Sequence, residues 1–258
     1  MMRFSNQYVL VVGGTGGIGL ETVKRFVMEG AWVAAVGLES EDQLSEAQRN
    51  ILSNPNVVYL KANAAATADM DNIAAELEQR FERLDVLVHA AGISARRYGD
   101  GPIDECTEEG WDQAMNANVK SVYQSNRIAL QQMQRQGKGA IVNISSVLGM
   151  AGTRAHFTTH AYAASRGAVI SFSKSAAVYY AKNNIRINVV CPGLLDTPMS
   201  QRAVSDPVIR EALTEFQPLA PHIGYPDDVA EAILFLASED SKFITGIALP
   251  VDGGWSAQ

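Results

Sequence analysis

Residues Tyr8–Val12 (YVLVV) run directly into Gly13-Gly14-Thr15-Gly16-Gly17-Ile18-Gly19, and the amphipathic stretch Leu20–Met28 follows. Five consecutive residues rich in valine predict a strand covered on both faces. The glycines predict a tight turn whose backbone approaches a ligand closely. A helix opening at that turn offers unpaired N–H groups and the positive end of its dipole. Strand, glycine turn and helix start in that order read as a pyrophosphate-binding unit; a turn that only reverses the chain is the other reading.

Outward from that unit, short β-branched runs alternate with longer amphipathic ones. Strands are predicted at Trp32–Val36, Val57–Lys61, Val86–His89, Ala140–Ser145, Arg186–Cys191 and Ile247–Val251. Helices are predicted at Ser40–Leu52, Met70–Phe81, Glu108–Gln136, Ala161–Lys182 and Asp227–Ala237. This alternation predicts βαβ units and a parallel sheet with helices on both faces. The expectation is a single doubly wound Rossmann-type α/β domain over residues 1–258. Leu194–Pro226 carries five prolines and weak periodicity, and is expected to be a loop-like flap or small lobe over the site.

Of the 258 residues, 47% are apolar and 19% charged, which excludes intrinsic disorder. With 21 basic and 28 acidic residues, net −7, the chain has no basic stripe for nucleic acid or an anionic membrane. No run of about 18 apolar residues is present. Met1 to Gln7 is short and polar, without a signal-peptide core. Cys106 and Cys191 fit neither a disulfide framework nor a metal-ligand spacing, and read as free thiols. The expectation is a cytoplasmic protein without metal, nucleic-acid or membrane partner.

Further motifs fall along the chain in a telling order. His89-Ala90-Ala91-Gly92 follows the fourth strand, and Trp111-Asp112 precedes Asn118 in the long helical stretch. Asn143-Ile144-Ser145-Ser146 closes the fifth strand, and Tyr162-Ala163-Ala164-Ser165-Arg166 opens the next helix. Cys191-Pro192-Gly193, Asp196-Thr197-Pro198-Met199 and Val251-Asp252-Gly253-Gly254 follow. Together with the glycine turn, these elements resemble the short-chain dehydrogenase/reductase family over almost the whole chain. Val12 stands where that family often has threonine, His89-Ala90 where it has Asn-Asn, and Arg166 where it has lysine. The resemblance implies an NAD(P)-dependent oxidoreductase that interconverts an alcohol and a carbonyl compound of small-molecule size. It also implies a homotetramer built through the two long helical stretches; a monomer by light scattering at micromolar concentration would refute that.

Moving a hydride to a carbonyl requires a proton to travel with it. A tyrosine supplies it if its pKa falls from about 10 toward the working pH, and a nearby cation promotes that. Tyr162 and Arg166, four apart on a predicted helix, share a face. Ser146 at a strand end can hydrogen-bond the substrate oxygen. By resemblance, Asn118 anchors a water that continues the proton path. Arginine can bind the nicotinamide ribose as lysine does, but does not readily pass a proton. Three readings stay open: an oxidoreductase with an arginine-modified relay, a cofactor-binding protein without turnover, and a non-redox Ser-Tyr-Arg enzyme resembling halohydrin dehalogenases. The intact glycine turn, Ala91-Gly92 and Pro192-Gly193 argue against the last.

Cofactor contacts implied by the resemblance are Gly13, Thr15, Gly16, Gly17, Ile18 and Gly19 at the pyrophosphate, with Leu38 and Glu39 at the adenosine ribose. Asn63 and Ala64 would lie at the adenine. Ala90, Ala91, Gly92, Tyr162, Arg166, Pro192, Gly193, Leu195 and Thr197 would surround the nicotinamide side. An acidic residue ending the second strand binds ribose hydroxyls and repels a 2′-phosphate. Here Gly37-Leu38-Glu39 offers Glu39 one or two positions late, with no basic residue between Gly13 and Gly19, so NAD(H) is favoured over NADP(H). From Ser146 to Tyr162 the spacing is longer than the family's common one. The extra length, Ala151–His160, carries Arg154, His156, Phe157 and His160. Recognition of an anionic or hydroxylated substrate group and an idle solvent loop are equal readings for it. Arg96, Arg97 and Tyr98 carry the same two readings.

Overall fold

Neighbouring residues of one strand enter different cores: Val9 and Val11 face one side of the sheet, Leu10 and Val12 the other, all fully buried. A strand that must be apolar on both faces reads as a continuous run, which is why YVLVV shows no alternation. The computed structural model describes residues 2–153 and 156–258. Seven parallel strands, β1 (Tyr8–Val12), β2 (Trp32–Gly37), β3 (Val57–Lys61), β4 (Val86–His89), β5 (Gly139–Ile144), β6 (Ile185–Pro192) and β7 (Ala248–Val251), lie in the order β3-β2-β1-β4-β5-β6-β7. The helices are α1 (Gly17–Met28), α2 (Glu46–Leu52), α3 (Thr67–Arg80), α4 (Glu108–Met115), α5 (Ser121–Gln136), α6 (His160–Tyr180), α7 (Gln201–Ser205), α8 (Pro207–Phe216) and α9 (Pro226–Ala237).

One core packs Val23 and Phe26 of α1 and Val229, Ile233 and Leu234 of α9 onto Val9, Val33, Val88 and Val142. The other packs Met70 and Leu77 of α3, Ile128 and Met133 of α5 and Ala177 of α6 onto Leu10, Leu87 and Ile141. Each such side chain taken from water contributes about 1.5–3 kcal/mol. The chain winds outward from β1 through β2 to β3, then crosses back to β4 beside β1. Crevices for ligands open beyond the strand ends at such a switch point. Among the described residues, no helix is long and apolar enough to cross a membrane.

The structure departs from the periodicity reading in three places. The stretch Glu108–Gln136 is not one α-helix: α4 and α5 are joined by a π-helical segment, Asn116–Lys120, whose extra residue turns Asn118 inward to full burial. Ser40–Leu52 begins as a short 3₁₀ turn and becomes α-helical only at α2. Leu194–Pro226 is not mainly loop. Asp206 caps α8 by accepting from the Val208 and Ile209 amides, and α8 buries Ile209 and Leu213. Its prolines mark helix starts, at Pro207 and Pro226, where a missing N–H costs nothing.

A polar seam runs between the sheet and α5. His89, wholly buried and in register with Asn143, meets the Ser125 hydroxyl at 2.8 Å through Nδ1 and the Ser121 hydroxyl at 3.1 Å through Nε2. Asn143 and Asn126 exchange amide hydrogen bonds, and Asn143 also donates to Ser173. Burial, then the charge of Arg166, hold the His89 pKa down to about 3. The unfolded chain takes up a proton at about pH 6.5 and the folded one does not. The stabilisation is therefore present above that pH and is lost as pH falls toward 3. Unfolding free energy is expected to be about 2 kcal/mol lower at pH 5 than at pH 7.5 on account of this group. Urea denaturation of the protein and of His89→Asn at both pH values measures it; equal losses in the two would show that His89 is not the cause.

Candidate active site

The glycine turn sits against the end of β4. Gly13 has φ +84°, and a Cβ there would lie 2.5 Å from the Ala91 amide nitrogen. No side chain fits between the turn and Ala90-Ala91, so backbone alone lines the crevice at the switch point. Gly17 opens α1 against Thr197, with an added Cβ 3.0 Å from its methyl group. Gly19 packs on the Gly13 carbonyl, while a Cβ on Gly16 would meet only the Gly13 oxygen, at 3.8 Å. Thr15, nearly buried, donates its hydroxyl to Glu39 Oε2 at 2.8 Å. The Glu39 carboxylate thus stands over the glycine turn. Tyr59 donates to the Glu39 carbonyl at 2.6 Å, and burial pushes its phenol up to about 12, so it stays a donor. Exposed Leu38 and Asn63 line one depression beside the sheet, with Ile73 of α3; Ala64 is buried behind them.

Helix α6 brings the sequence-predicted catalytic residues together. Tyr162, Ser165 and Arg166 lie within one turn and a half. The helix starts without a side-chain cap from Thr159. Asp100 supplies one from a distant loop, accepting from the Ala161 and Tyr162 amides at 3.0 Å each. Arg166 is only 4% exposed. One of its terminal nitrogens donates to the Ile144 carbonyl at 3.1 Å, and its guanidinium carbon lies 4.9 Å from the Tyr162 ring centroid. Its other terminal nitrogen fills the space that a Cβ on Gly92 would need. Its Nε is buried without a hydrogen-bond partner. Among the described residues, no carboxylate oxygen comes within ion-pair distance of it.

Ser146 lies two residues beyond β5, at the start of a 3₁₀ turn, and its Oγ accepts from the Leu148 amide at 3.1 Å, which leaves its O–H for the cleft. The turn after it lies tight on α6, where a Cβ on Gly149 would fall 2.7 Å from the Arg166 carbonyl carbon. Asn118 accepts from the Ile93 amide at 2.8 Å and gives its two N–H groups to the Ile93 carbonyl and the Ser165 hydroxyl. It ties the segment after β4 to α6, and both of its donors are engaged within the protein.

A cleft of about 380 Å³ contains Ser146, Tyr162 and Arg166 together with Ile18, Ala90, Pro192, Gly193, Leu195 and Thr197. Phe157 lines it and packs on Trp255 at 5.1 Å between ring centroids. His156 gives its carbonyl to Arg96 at 3.4 Å, and His160 opens α6 with an exposed side chain. Arg154 lies outside the described residues. Arg96 and Arg97 belong to the cleft wall, with Arg97 also 4.7 Å from the Tyr98 ring centroid. Met199 of the motif after β6 lines the cleft as well, while sequence reasoning missed Asp100, Arg202 and Trp255. Asp100 had no motif, and α7, which carries Arg202, is too short to show a period.

The residues present fit a dinucleotide: a backbone-lined crevice, a carboxylate over the turn and a buried guanidinium with an unpartnered N–H. A family model described as enoyl-(acyl carrier protein) reductase matches residues 13–256. The chain is 35% identical to 2-(R)-hydroxypropyl-CoM dehydrogenase of Xanthobacter autotrophicus, over 98% of this chain and 99% of that protein. It is 34% identical to the 3-oxoacyl-[acyl-carrier-protein] reductase FabG of Thermotoga maritima, over 98% and 99%. The structure of ElxO with NADP bound superposes with a TM-score of 0.87 at 31% identity, covering 98% of this chain and 99% of that one. The chain belongs to the short-chain dehydrogenase/reductase family, and is an NAD(P)-dependent oxidoreductase of that family.

The Asp100 cap makes a prediction. Asp100→Ala removes the acceptor of two amides at the turn that carries Tyr162, and is expected to destabilise the protein by about 1 kcal/mol or more. Turnover should fall further than stability alone explains, with cofactor affinity retained. Thermal melts, kcat and cofactor titration separate these effects; unchanged kcat in the folded variant would show that the cap does not position Tyr162.

Proposed function

We propose that this protein interconverts an alcohol and a carbonyl compound, with Tyr162 as acid and base at the substrate oxygen and Ser146 as the donor that holds that oxygen. The observation that carries the reading is one cleft in which both hydroxyls stand beside a backbone-lined crevice, with a buried guanidinium against the tyrosine ring. When bound, the dinucleotide supplies or takes up the hydride. Gly13, Gly16, Gly17, Ile18 and Gly19 with the start of α1 would hold its pyrophosphate. Glu39, fixed by Thr15, would take the adenosine ribose hydroxyls and repel a 2′-phosphate, so NAD(H) is preferred. Asn63 and Ala64, with Leu38, would flank the adenine. Ala90, Ala91, Gly92, Pro192, Gly193, Leu195 and Thr197 would flank the nicotinamide, and Arg166 would donate its Nε–H to a ribose hydroxyl.

Arg166 stands against the Tyr162 ring as a fixed positive charge. It does not relay the proton, because arginine keeps its proton at any working pH. The proton that Tyr162 gives to a substrate oxygen is therefore replaced from solvent at the cleft mouth.

Titration with NADH and, separately, NADPH, followed by nicotinamide fluorescence, is the first test. NADH should bind more tightly, and Glu39→Arg should reverse the order. Tyr162→Phe should keep cofactor affinity and lower turnover of alcohols and ketones by about 100-fold or more. Failure of both cofactors to bind below millimolar concentration would overturn the redox reading and move attention to halide release from halohydrins. Full turnover by Tyr162→Phe would overturn the assignment of the acid.

A further inference from the structure

The charge lining the cleft runs against the charge of the molecule. The chain carries net −7, yet four arginines, Arg96, Arg97, Arg166 and Arg202, line the cleft and no aspartate or glutamate does among the described residues. Outside the cleft, Arg49 and Arg186 are held by backbone carbonyls and Arg210 is exposed, while Arg3, Arg25, Arg80, Arg83, Arg127 and Arg135 pair with carboxylates. None of the four cleft arginines does. Arg96 is half-buried, and its side chain donates to the His156 carbonyl at a long 3.4 Å. Burial, and next the charge of Arg202, press its pKa down from the usual arginine value, with Asp100 acting in the opposite direction. Asp100 itself is committed to the amides that start α6. Two guanidinium groups from separate elements, the segment after β4 and α7, thus line one cleft and repel. An acidic protein that holds like charges together without a carboxylate between them leaves the neutralising partner to a ligand.

The rest of the wall says what that ligand carries besides charge. Leu148, Phe157, Met199, Ala203 and Trp255 line the same cleft, and Phe157, Phe216 and Trp255 brace one another, with Phe216 stacked on Trp255 at 4.9 Å. We infer that Arg96 and Arg202, with Arg97 at the rim, form an anion subsite, and that the substrate is an oxo or hydroxy compound bearing a carboxylate or similar anionic group on an apolar body. This rests on the oxidoreductase reading for the carbonyl end of the ligand, but the subsite itself does not require turnover. Planar guanidinium forks suit a bidentate oxyanion, which separates such an acid from its neutral ester.

The test uses matched pairs: pyruvate, acetoacetate and 4-oxopentanoate, each against its ethyl ester, at low and high salt. Binding is measured by calorimetry on protein saturated with oxidised cofactor, where no turnover occurs, or on the protein alone if no cofactor binds. Turnover is measured with reduced cofactor. For at least one pair the acid should be preferred about tenfold or more in affinity and kcat/KM, less so at high salt. Arg96→Ala and Arg202→Ala should each cut the acid-to-ester ratio about tenfold, whereas Arg210→Ala, on exposed α8, should not change it. Acid binding without turnover would uphold the subsite and overturn the redox reading. Ester turnover with no acid preference would do the reverse. Absence of acid binding in every pair would overturn the subsite, as would variants that weaken the dinucleotide but keep the acid preference.

Discussion

A guanidinium buried without a carboxylate is the constraint around which the centre of this structure is organised. Removing an unpaired charge from water costs several kcal/mol even after relaxation. Arg166 meets that cost with one carbonyl, the end of β5, and with the face of the Tyr162 ring. Everything else in reach has to give way or stay neutral. Residue 92 is glycine because a side chain would occupy the place of the guanidinium. His89, near enough to feel the charge, is kept uncharged by burial and held between two serine hydroxyls. The remaining N–H, on Nε, has no partner among the described residues, and a ligand that accepts from it relieves an existing penalty as it binds.

The same constraint ties the sheet to α6. Arg166 reaches β5, Asn118 reaches both Ile93 and Ser165, and Ser145 donates to the Arg166 carbonyl at 2.7 Å. Tyr162 and Ser146 are thereby referenced to one rigid block rather than to loops, the condition for placing two hydroxyls on one substrate oxygen. The π-helical segment belongs to this block. Without its extra residue, Asn118 would be rotated away from the strand-end segment that it joins to α6.

Much of this was legible in the sequence because the fold depends on periodicity and on glycines with a single purpose. Each strand appeared as an apolar run since both faces are covered, and the glycine turn was visible because a close backbone approach admits no other residue at Gly13. Tyr162 and Arg166 were legible as a pair through their helical spacing. What stayed hidden shares one physical character: it depends on contacts between segments distant in sequence. Asp100 caps a helix sixty residues later, which no local capping pattern encodes. The π-helical segment inserts one residue into an otherwise regular period, and the long helical stretch masks it. The helices after β6 are short, so their prolines were read as loop signals when two of them are helix starts. Arg202 carries no motif and acquires meaning only when α7 folds over the cleft beside Arg96.

The arginine at position 166 and the cationic wall of the cleft bear on each other. A lysine at position 166 could carry a proton inward, while an arginine is a fixed charge that orients and attracts. Fixing that charge behind Tyr162 makes the inner end of the cleft permanently positive, and Arg96, Arg97 and Arg202 make its mouth positive too. In a molecule whose overall charge repels anions, such a gradient concentrates them at one place and leaves the outer surface unattractive to them. In the mechanism we propose, the inner route is closed to protons and solvent at that same mouth reprotonates Tyr162. The entrance that admits the substrate is then also the proton source, which requires it to stay wet and polar between turnovers. A rim of guanidinium groups provides this, and a closed apolar lid would not.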